Sequence, residues 1–342
     1  MKEKILEVIR KYNLIESGDK LVLGVSGGPD SMCMLDILND IKNYKNLNLK
    51  FDIVVAHVNH MIREEADRDE QYVKEYCEKN NIEFYSRSID VQKIGNNMKI
   101  GTEEAGRNVR YEFFDEILKL TKSNKIAIAH NKNDKIETIL MNLFRGSGLL
   151  GLKGIEAKNG KYIRPLIECE RSKIEEYCSE KNLNPRIDKT NFDNTYTRNK
   201  VRNVVIPYIK KEFNPNIINT IDRLSELVSE EEEYIDKQVK KIYNDILVKE
   251  DLEEKEIILD LKKFNSQEKV IKSRLVLYTI TRIFGSSKGI EKIHIEDIIK
   301  LCSKNIGNKY LTPNKNTKIL VNNGKIYFSY IIENCISYNV RK

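Results

Sequence analysis

Apolar runs rich in β-branched residues alternate with amphipathic segments through the first half of the chain. Leu21–Val25, Ile53–Val58, Ile82–Ser86 and Ile126–Ala129 each precede a stretch whose apolar residues recur three and four positions apart. A run that is apolar at every position, not every second one, fits a strand covered on both faces. Strand followed by helix, repeated, predicts a doubly wound, mostly parallel α/β sheet. A fifth strand is expected in YIRPLI (162–167), where Pro165 withholds a ladder N–H and so suits an edge. The opening MKEKILEVIRKYN reads as an amphipathic helix and lacks the apolar core of a secretion signal.

Beyond Pro207 and Pro215 the period changes. IINTIDRLSELVSEEEEYIDKQVKKIYNDIL repeats apolar positions at helical spacing through Ile217, Ile221, Leu224 and Val228, with SEEEE expected on a solvated face. VIKSRLVLYTITRIFG and HIEDIIKLC read as further helices. NKYLTPNKNTKILVNNGKIYFSYII alternates and contains an Asn-Gly turn, the mark of a β-hairpin. Two domains follow, 1–212 and 213–342, the second mainly helical with a hairpin.

Charge sharpens this division. Residues 218–260 carry 6 basic and 14 acidic side chains, whereas 261–342 carry 16 basic and 5 acidic. A basic C-terminal part suggests a polyanionic partner, although lysine-rich surfaces also serve solubility. No apolar run is long enough to span a bilayer, so a soluble, cytoplasmic protein is expected. The six cysteines, Cys33, Cys77, Cys169, Cys178, Cys302 and Cys335, include no C-x-x-C pair, which argues against a disulfide framework or a zinc ribbon.

Three predicted strands end in unusual chemistry. Behind the first lies Ser26-Gly27-Gly28-Pro29-Asp30-Ser31. Its glycines permit positive φ and close approach of backbone N–H groups to an anion, and Pro29 suits the first position of a helix whose free amides favour negative charge. The same residues would also make an ordinary tight turn. The loop lacks the lysine of a kinase-type phosphate loop and the third glycine of a dinucleotide fingerprint. The second strand ends in His57, Asn59, His60 and Arg63, and the fourth in His130, a set that could border a nucleotide or form a zinc site. After the fourth strand, Asp134 and Glu137 fall three apart near a helix start, where they could hold magnesium, orient an amine or simply favour the helix terminus.

Taken in order, these blocks resemble the tRNA(Ile)-lysidine synthetase family, within the N-type ATP pyrophosphatases of the PP-loop superfamily. The matching pieces are S-G-G-P-D-S, H-V-N-H-M-I-R, E-E-A-G-R-N-V-R-Y (103–111), A-H-N-K-N-D-K-I-E-T, L-F-R-G-S-G-L-L-G-L-K-G-I, R-P-L (164–166) and T-R-N-K-V-R-N (197–203). The resemblance implies a five-stranded ATP-binding catalytic domain over 1–212, then a helical linker and basic tRNA-binding domain over 213–342. It implies ATP as co-substrate, Mg2+, free L-lysine and an isoleucine tRNA with a CAU anticodon as partners, and leaves homodimerisation open. The cytidine C2 oxygen would attack the α phosphorus, and the lysine ε-amine would then displace AMP.

On that resemblance Ser26, Gly27, Gly28, Pro29, Asp30 and Ser31 hold the pyrophosphate, with Asp30 also at the metal. His57 and Asn59 border the adenosine. His130, Asp134, Glu137 and Arg145 serve lysine or tRNA, while Asp134, Arg107, Arg110 and Arg202 join Asp30 in the catalytic set. Each arginine could instead be a surface ion-pair partner. Asn131, Asn133 and Lys135 depart from the family pattern H-H-x-D-D-Q-x-E-T; Asn133 is expected to be able to cap the helix and Lys135 to be solvated. Lys309, Tyr310 and Lys315 are the expected RNA surface. Two alternatives stand beside this reading: a related tRNA thiolation enzyme, which the missing C-x-x-C disfavours, and a non-catalytic RNA-binding or nucleotide-sensing protein.

Overall fold

The computed structural model describes residues 1–44, 49–61, 66–186, 195–287, 289–304 and 309–330. Arg63 and Cys335 lie outside them. The chain forms two compact units, Met1–Val228 and Ser229–Lys342.

The first unit begins with α1 (Lys2–Lys11), β1 (Lys20–Gly24), α2 (Pro29–Lys42), β2 (Asp52–Asn59), α3 (Ala66–Lys79) and β3 (Glu83–Ser88). It continues with α4 (Val91–Met98), α5 (Thr102–Leu120), β4 (Lys125–Ile128), α6 (Lys132–Phe144) and α7 (Leu149–Leu152). A small hairpin, β5 (Lys158–Asn159) and β6 (Tyr162–Ile163), precedes α8 (Arg171–Glu180), and α9 (Thr197–Lys200) and α10 (Ile206–Glu212) follow. The sheet order is β3-β2-β1-β4-β6-β5, parallel except for β5. There are thus six strands where five were expected. Positive φ at Gly160 turns Lys158–Asn159 back against β6, making β5 the edge, and YIRPLI leaves the sheet two residues before Pro165.

The continuous apolar runs have the expected cause. Leu21, Leu23, Ile53 and Val55 face one layer, packed with Leu35 and Leu38 of α2 and Ile174 and Tyr177 of α8. Their sequence neighbours Val22 and Val54, with Ile126 of β4, face the other, against Phe113, Phe114 and Ile117 of α5. Each such buried side chain contributes about 1.5–3 kcal/mol. Gly24 is required at the end of β1, because a Cβ there would lie 2.5 Å from Phe114 Cζ. From β1 the chain builds outward through β2 and β3, then returns to the other side of β1 as β4. That reversal places the topological switch point, the usual ligand crevice, between β1 and β4.

α11 (Ile217–Ile246) leads into β7 (Leu247–Asp251), β8 (Glu256–Asp260), α12 (Leu261–Asn265), α13 (Lys269–Phe284), α14 (Lys292–Lys304), β9 (Lys309–Asn314), β10 (Thr317–Asn322) and β11 (Lys325–Tyr330). The expected hairpin is β10–β11, turned by Asn323 and Gly324 at φ 48° and 71°. It belongs to a five-stranded antiparallel sheet, β7-β8-β11-β10-β9, which the acidic sequence around 247–260 concealed. Ile257 and Leu259 point into the helical core while Glu256, Ile258 and Asp260 do not, too short an alternation to stand out before β11 pairs with it. SEEEE is solvated except at Glu232, which is fully buried against Arg274.

Candidate active site

The loop after β1 is shaped by its own side chains. Gly27 adopts φ +87°, and Gly28 precedes α2 without any side-chain cap. The Ser31 hydroxyl accepts from Ser26 N at 3.1 Å and donates to Gly28 O at 3.0 Å, and the two serine oxygens lie 3.2 Å apart. Buried Ser31 therefore holds the curve, leaving exposed Ser26 and the uncapped amides of α2 toward solvent. A bend rich in free N–H groups at a helix N-terminus suits phosphate oxygens.

Asp30 joins this loop to the one after β4. Its Oδ1 accepts from Asn131 Nδ2 at 2.8 Å and its Oδ2 from Arg171 Nη2 at 3.2 Å. Burial raises its pKa above the ordinary carboxylate value, with Asp134 adding to the effect and Arg171 opposing it. Asn131, not Asn133, caps α6: its Oδ1 accepts from Asp134 N while Asp134 Oδ2 accepts from Asn131 N, both at 3.0 Å. Asn133 instead accepts from the backbone N of Arg171 at 3.0 Å.

Asp134 and Glu137, 7% and 1% exposed, share two arginines. Arg198 donates through Nε to Glu137 at 2.9 Å and through Nη2 to Asp134 at 3.1 Å. Arg202 donates to Glu137 at 2.6 and 2.8 Å and to Asp134 at 3.0 Å. Burial acts to raise the Asp134 pKa, but Arg198, His130 and the Asn131 amide carry it below the ordinary value. The arginines come from α9 and from the π-helical turn Val201–Val205 that follows it, just ahead of Pro207. The flanking lysines turn away: Lys132 and Lys135 pair with Asp222 at 2.8 and 2.9 Å, all three side chains largely buried. Lys135 is thus a buried ion-pair member and not the solvated residue expected.

Beside this cluster lies a cavity of about 360 Å³ lined by Arg107, His130, Thr138, Lys153, Arg164 and Arg198, among others. Arg164 is 8% exposed and donates to His130 Nδ1 at 3.2 Å and to Glu156 O at 2.7 Å. His130 accordingly has Nδ1 as acceptor and Nε2 protonated, and burial, with Arg164, Arg198 and Arg107 nearby, pushes its pKa down to about 4. Four cationic side chains around one cavity favour an anionic or zwitterionic occupant.

The other expected residues are more dispersed. His57 is 3% exposed, its Nδ1 is 2.8 Å from Val25 O, and burial lowers its pKa, so the neutral ring supports the strand preceding the phosphate loop. Asn59 is committed to its own loop through Met61 N at 3.0 Å and Asp67 at 2.9 Å. Arg110 is 3.2 Å from His60, while Arg107 lies over Tyr111 at 5.1 Å and reaches the cavity. Arg145 is exposed at the far end of α6, about 16 Å along the axis from Asp134. Among the described residues no group of three His, Cys, Asp or Glu side chains could hold a metal unaided. Asp30, beside an uncapped helix start, suits a magnesium ion that takes its remaining oxygens from phosphate and water.

Sequence reasoning passed over Arg164, Arg171 and Arg198. Arg164 and Arg198 sit inside the quoted blocks R-P-L and T-R-N-K-V-R-N, and the four-residue spacing of Arg198 and Arg202 was a readable sign of a shared helical face.

A family model described as a PP-loop domain matches residues 1–209. A tRNA(Ile)-lysidine synthase of Caldanaerobacter subterraneus is 44% identical over 92% of this chain and 66% of its own length. One of Clostridium acetobutylicum is 44% identical over 94% of this chain and 68% of its own. The chain therefore spans about two thirds of the length of these relatives. Among solved structures, a U34-tRNA thiolase of Methanococcus maripaludis is similar with a TM-score of 0.50 at 20% identity, covering 66% of this chain and 78% of that one, a likeness of fold alone.

Proposed function

The chain belongs to the tRNA(Ile)-lysidine synthase family, and on that premise we propose that it is a carbon–nitrogen ligase joining free lysine to C2 of the first anticodon cytidine of a CAU isoleucine tRNA, at the expense of ATP. The observation that carries this reading is the Asn131–Asp30 hydrogen bond of 2.8 Å, which joins the phosphate loop to the Asp134–Glu137 cluster in one crevice. One crevice then serves both halves of the reaction, activation of the cytidine oxygen and delivery of the amine.

Loop 26–31 and the start of α2 hold the triphosphate, orienting its α phosphorus toward the cytidine O2. Asp30 would hold Mg2+, which supplies charge neutralisation on the departing pyrophosphate. Adenylation matters because a ring carbonyl oxygen leaves poorly until it becomes a phosphate ester. In the second half the amine must arrive unprotonated at C2. The cluster of two carboxylates and two arginines suits an amino-acid head group, with the arginines facing a carboxylate and Asp134 and Glu137 facing an ammonium. Neutral His130, protonated at Nε2, can donate to the substrate but does not compete for the lysine α-ammonium. Arg107 and Arg164 favour the tRNA or AMP phosphate at the cavity.

The basic C-terminal unit, with Tyr310 exposed and Lys318 over its ring at 5.0 Å, supports a tRNA-binding role there. No helix among the described residues is long and apolar enough to cross a membrane, in keeping with work on tRNA in the cytoplasm. The thiolation alternative has no support beyond shared fold. Incubation with ATP, labelled lysine and CAU isoleucine tRNA tests the proposal: tRNA-dependent lysine incorporation with release of AMP and pyrophosphate is expected. ATP turnover without lysine transfer would end it.

A further inference from the structure

We infer that Arg171 is a phosphate ligand of the nucleotide site, one that pairs with Asp30 and exchanges that carboxylate for pyrophosphate oxygens when the nucleotide binds. The inference rests on the reading of loop 26–31 as the triphosphate site.

The arginines of this site differ in how completely they are used. Arg202 makes three hydrogen bonds to carboxylates and Arg198 two. The Arg171 guanidinium makes one, from Nη2 to Asp30 Oδ2, at a long 3.2 Å. Its Nε is buried and has no acceptor among the described residues. A guanidinium carries five N–H donors in a rigid fork, and a buried donor without a partner costs about 1–3 kcal/mol. Such a group is under-satisfied where it stands and matched to a bidentate oxyanion.

The backbone beneath it is fixed. Arg171 opens α8, and its N–H is held by Asn133 at 3.0 Å. α8 is pinned to the phosphate-loop helix through Tyr177 OH to Asp36 at 2.7 Å and Cys178 Sγ to Pro29 O at 3.5 Å. Arg186 N also bonds Gly27 O at 3.0 Å, so the segment after α8 touches the loop itself. Only the side chain needs to move, and it is 26% exposed. Arg171 and a metal would compete for the Asp30 carboxylate, which makes the pair a brake on cation binding until phosphate draws the guanidinium away.

This competition predicts effects of opposite sign. In the full chain, R171Q should weaken binding of inorganic pyrophosphate in EDTA, measured by calorimetry, by about tenfold or more, the worth of a lost charge-assisted hydrogen bond. The same variant should bind Mn2+ alone, read by electron paramagnetic resonance, several-fold more tightly than wild type. An arginine that merely ties α8 to α2 would also free Asp30 for Mn2+ when removed, but would leave pyrophosphate binding unchanged. Pyrophosphate affinity within twofold of wild type, or Mn2+ affinity that does not rise, overturns the assignment. Should R171Q fail to fold, R171M carries both measurements. A wild-type chain that binds no pyrophosphate overturns the reading of loop 26–31 itself, whereas wild-type binding with an unaffected variant overturns the role of Arg171 alone.

Discussion

Replacing Glu137 by glutamine tests the buried ionic cluster with almost no change of shape. Glu137 is 1% exposed and accepts three hydrogen bonds, at 2.9, 2.6 and 2.8 Å. Without its charge, the carboxylate facing both Arg198 and Arg202 is that of Asp134, whose Oδ1 accepts from them at 3.1 and 3.0 Å. Removing one partner of a buried pair costs about 3–5 kcal/mol. Because the arginines are 27% and 18% exposed and the amide still offers one acceptor, about 2–3 kcal/mol is the better expectation here. In a unit of this size that corresponds to a fall of about 4–12 °C in its thermal transition, measured by calorimetry. Arg202→Met alone should cost a similar amount, and the Glu137→Gln/Arg202→Met pair less than both together by at least about 1 kcal/mol, since a one-to-one Arg198–Asp134 pair remains. A transition within 1 °C of wild type, or additive costs, would show that the cluster is not electrostatically coupled.

Gly24→Ala should destabilise the first unit by about 1–3 kcal/mol through overpacking against Phe114, and Phe114→Leu should restore part of it in chemical denaturation. His130 in the folded protein titrates near 4, below its ordinary value of 6.5, so as pH falls from 6.5 toward 4 the unfolded chain takes up a proton first and stability declines. That contribution is flat above pH 6.5; an NMR titration of His130 centred above 6 would contradict the assignment of a neutral ring. Asp222→Asn strands Lys132 and Lys135 without their shared carboxylate and should raise the KM for lysine more than it lowers kcat, by loosening the first turn of α6; Asp222→Glu should recover most of the loss. If the basic C-terminal unit grips RNA, tRNA affinity should fall steeply between about 50 and 200 mM salt; a flat profile would exclude that surface.

Much of the architecture is written in the local pattern of the chain. Runs such as Leu21–Val25 and Ile53–Ala56 are apolar at every position, and burial of both faces by α2, α8 and α5 is the direct physical cause. The Gly27–Gly28 pair ahead of Pro29 likewise announced a tight bend into a helix, because positive φ and an uncapped helix start are local properties of the backbone. Asn323-Gly324 specified its hairpin for the same reason. What no local pattern could specify was partnership across the chain. β7 and β8 are short and acidic, and become strands only because β8 is held between β11 on one side and β7 on the other. Lys135 and Glu232 looked solvated in their helices until Asp222 and Arg274 met them from distant positions. The same holds for Arg171, 141 positions from Asp30, and for Arg198, 61 positions from Glu137. Periodicity and turn chemistry act over a few residues and are written in the chain, whereas the pairing of buried charges depends on which surfaces the fold brings together.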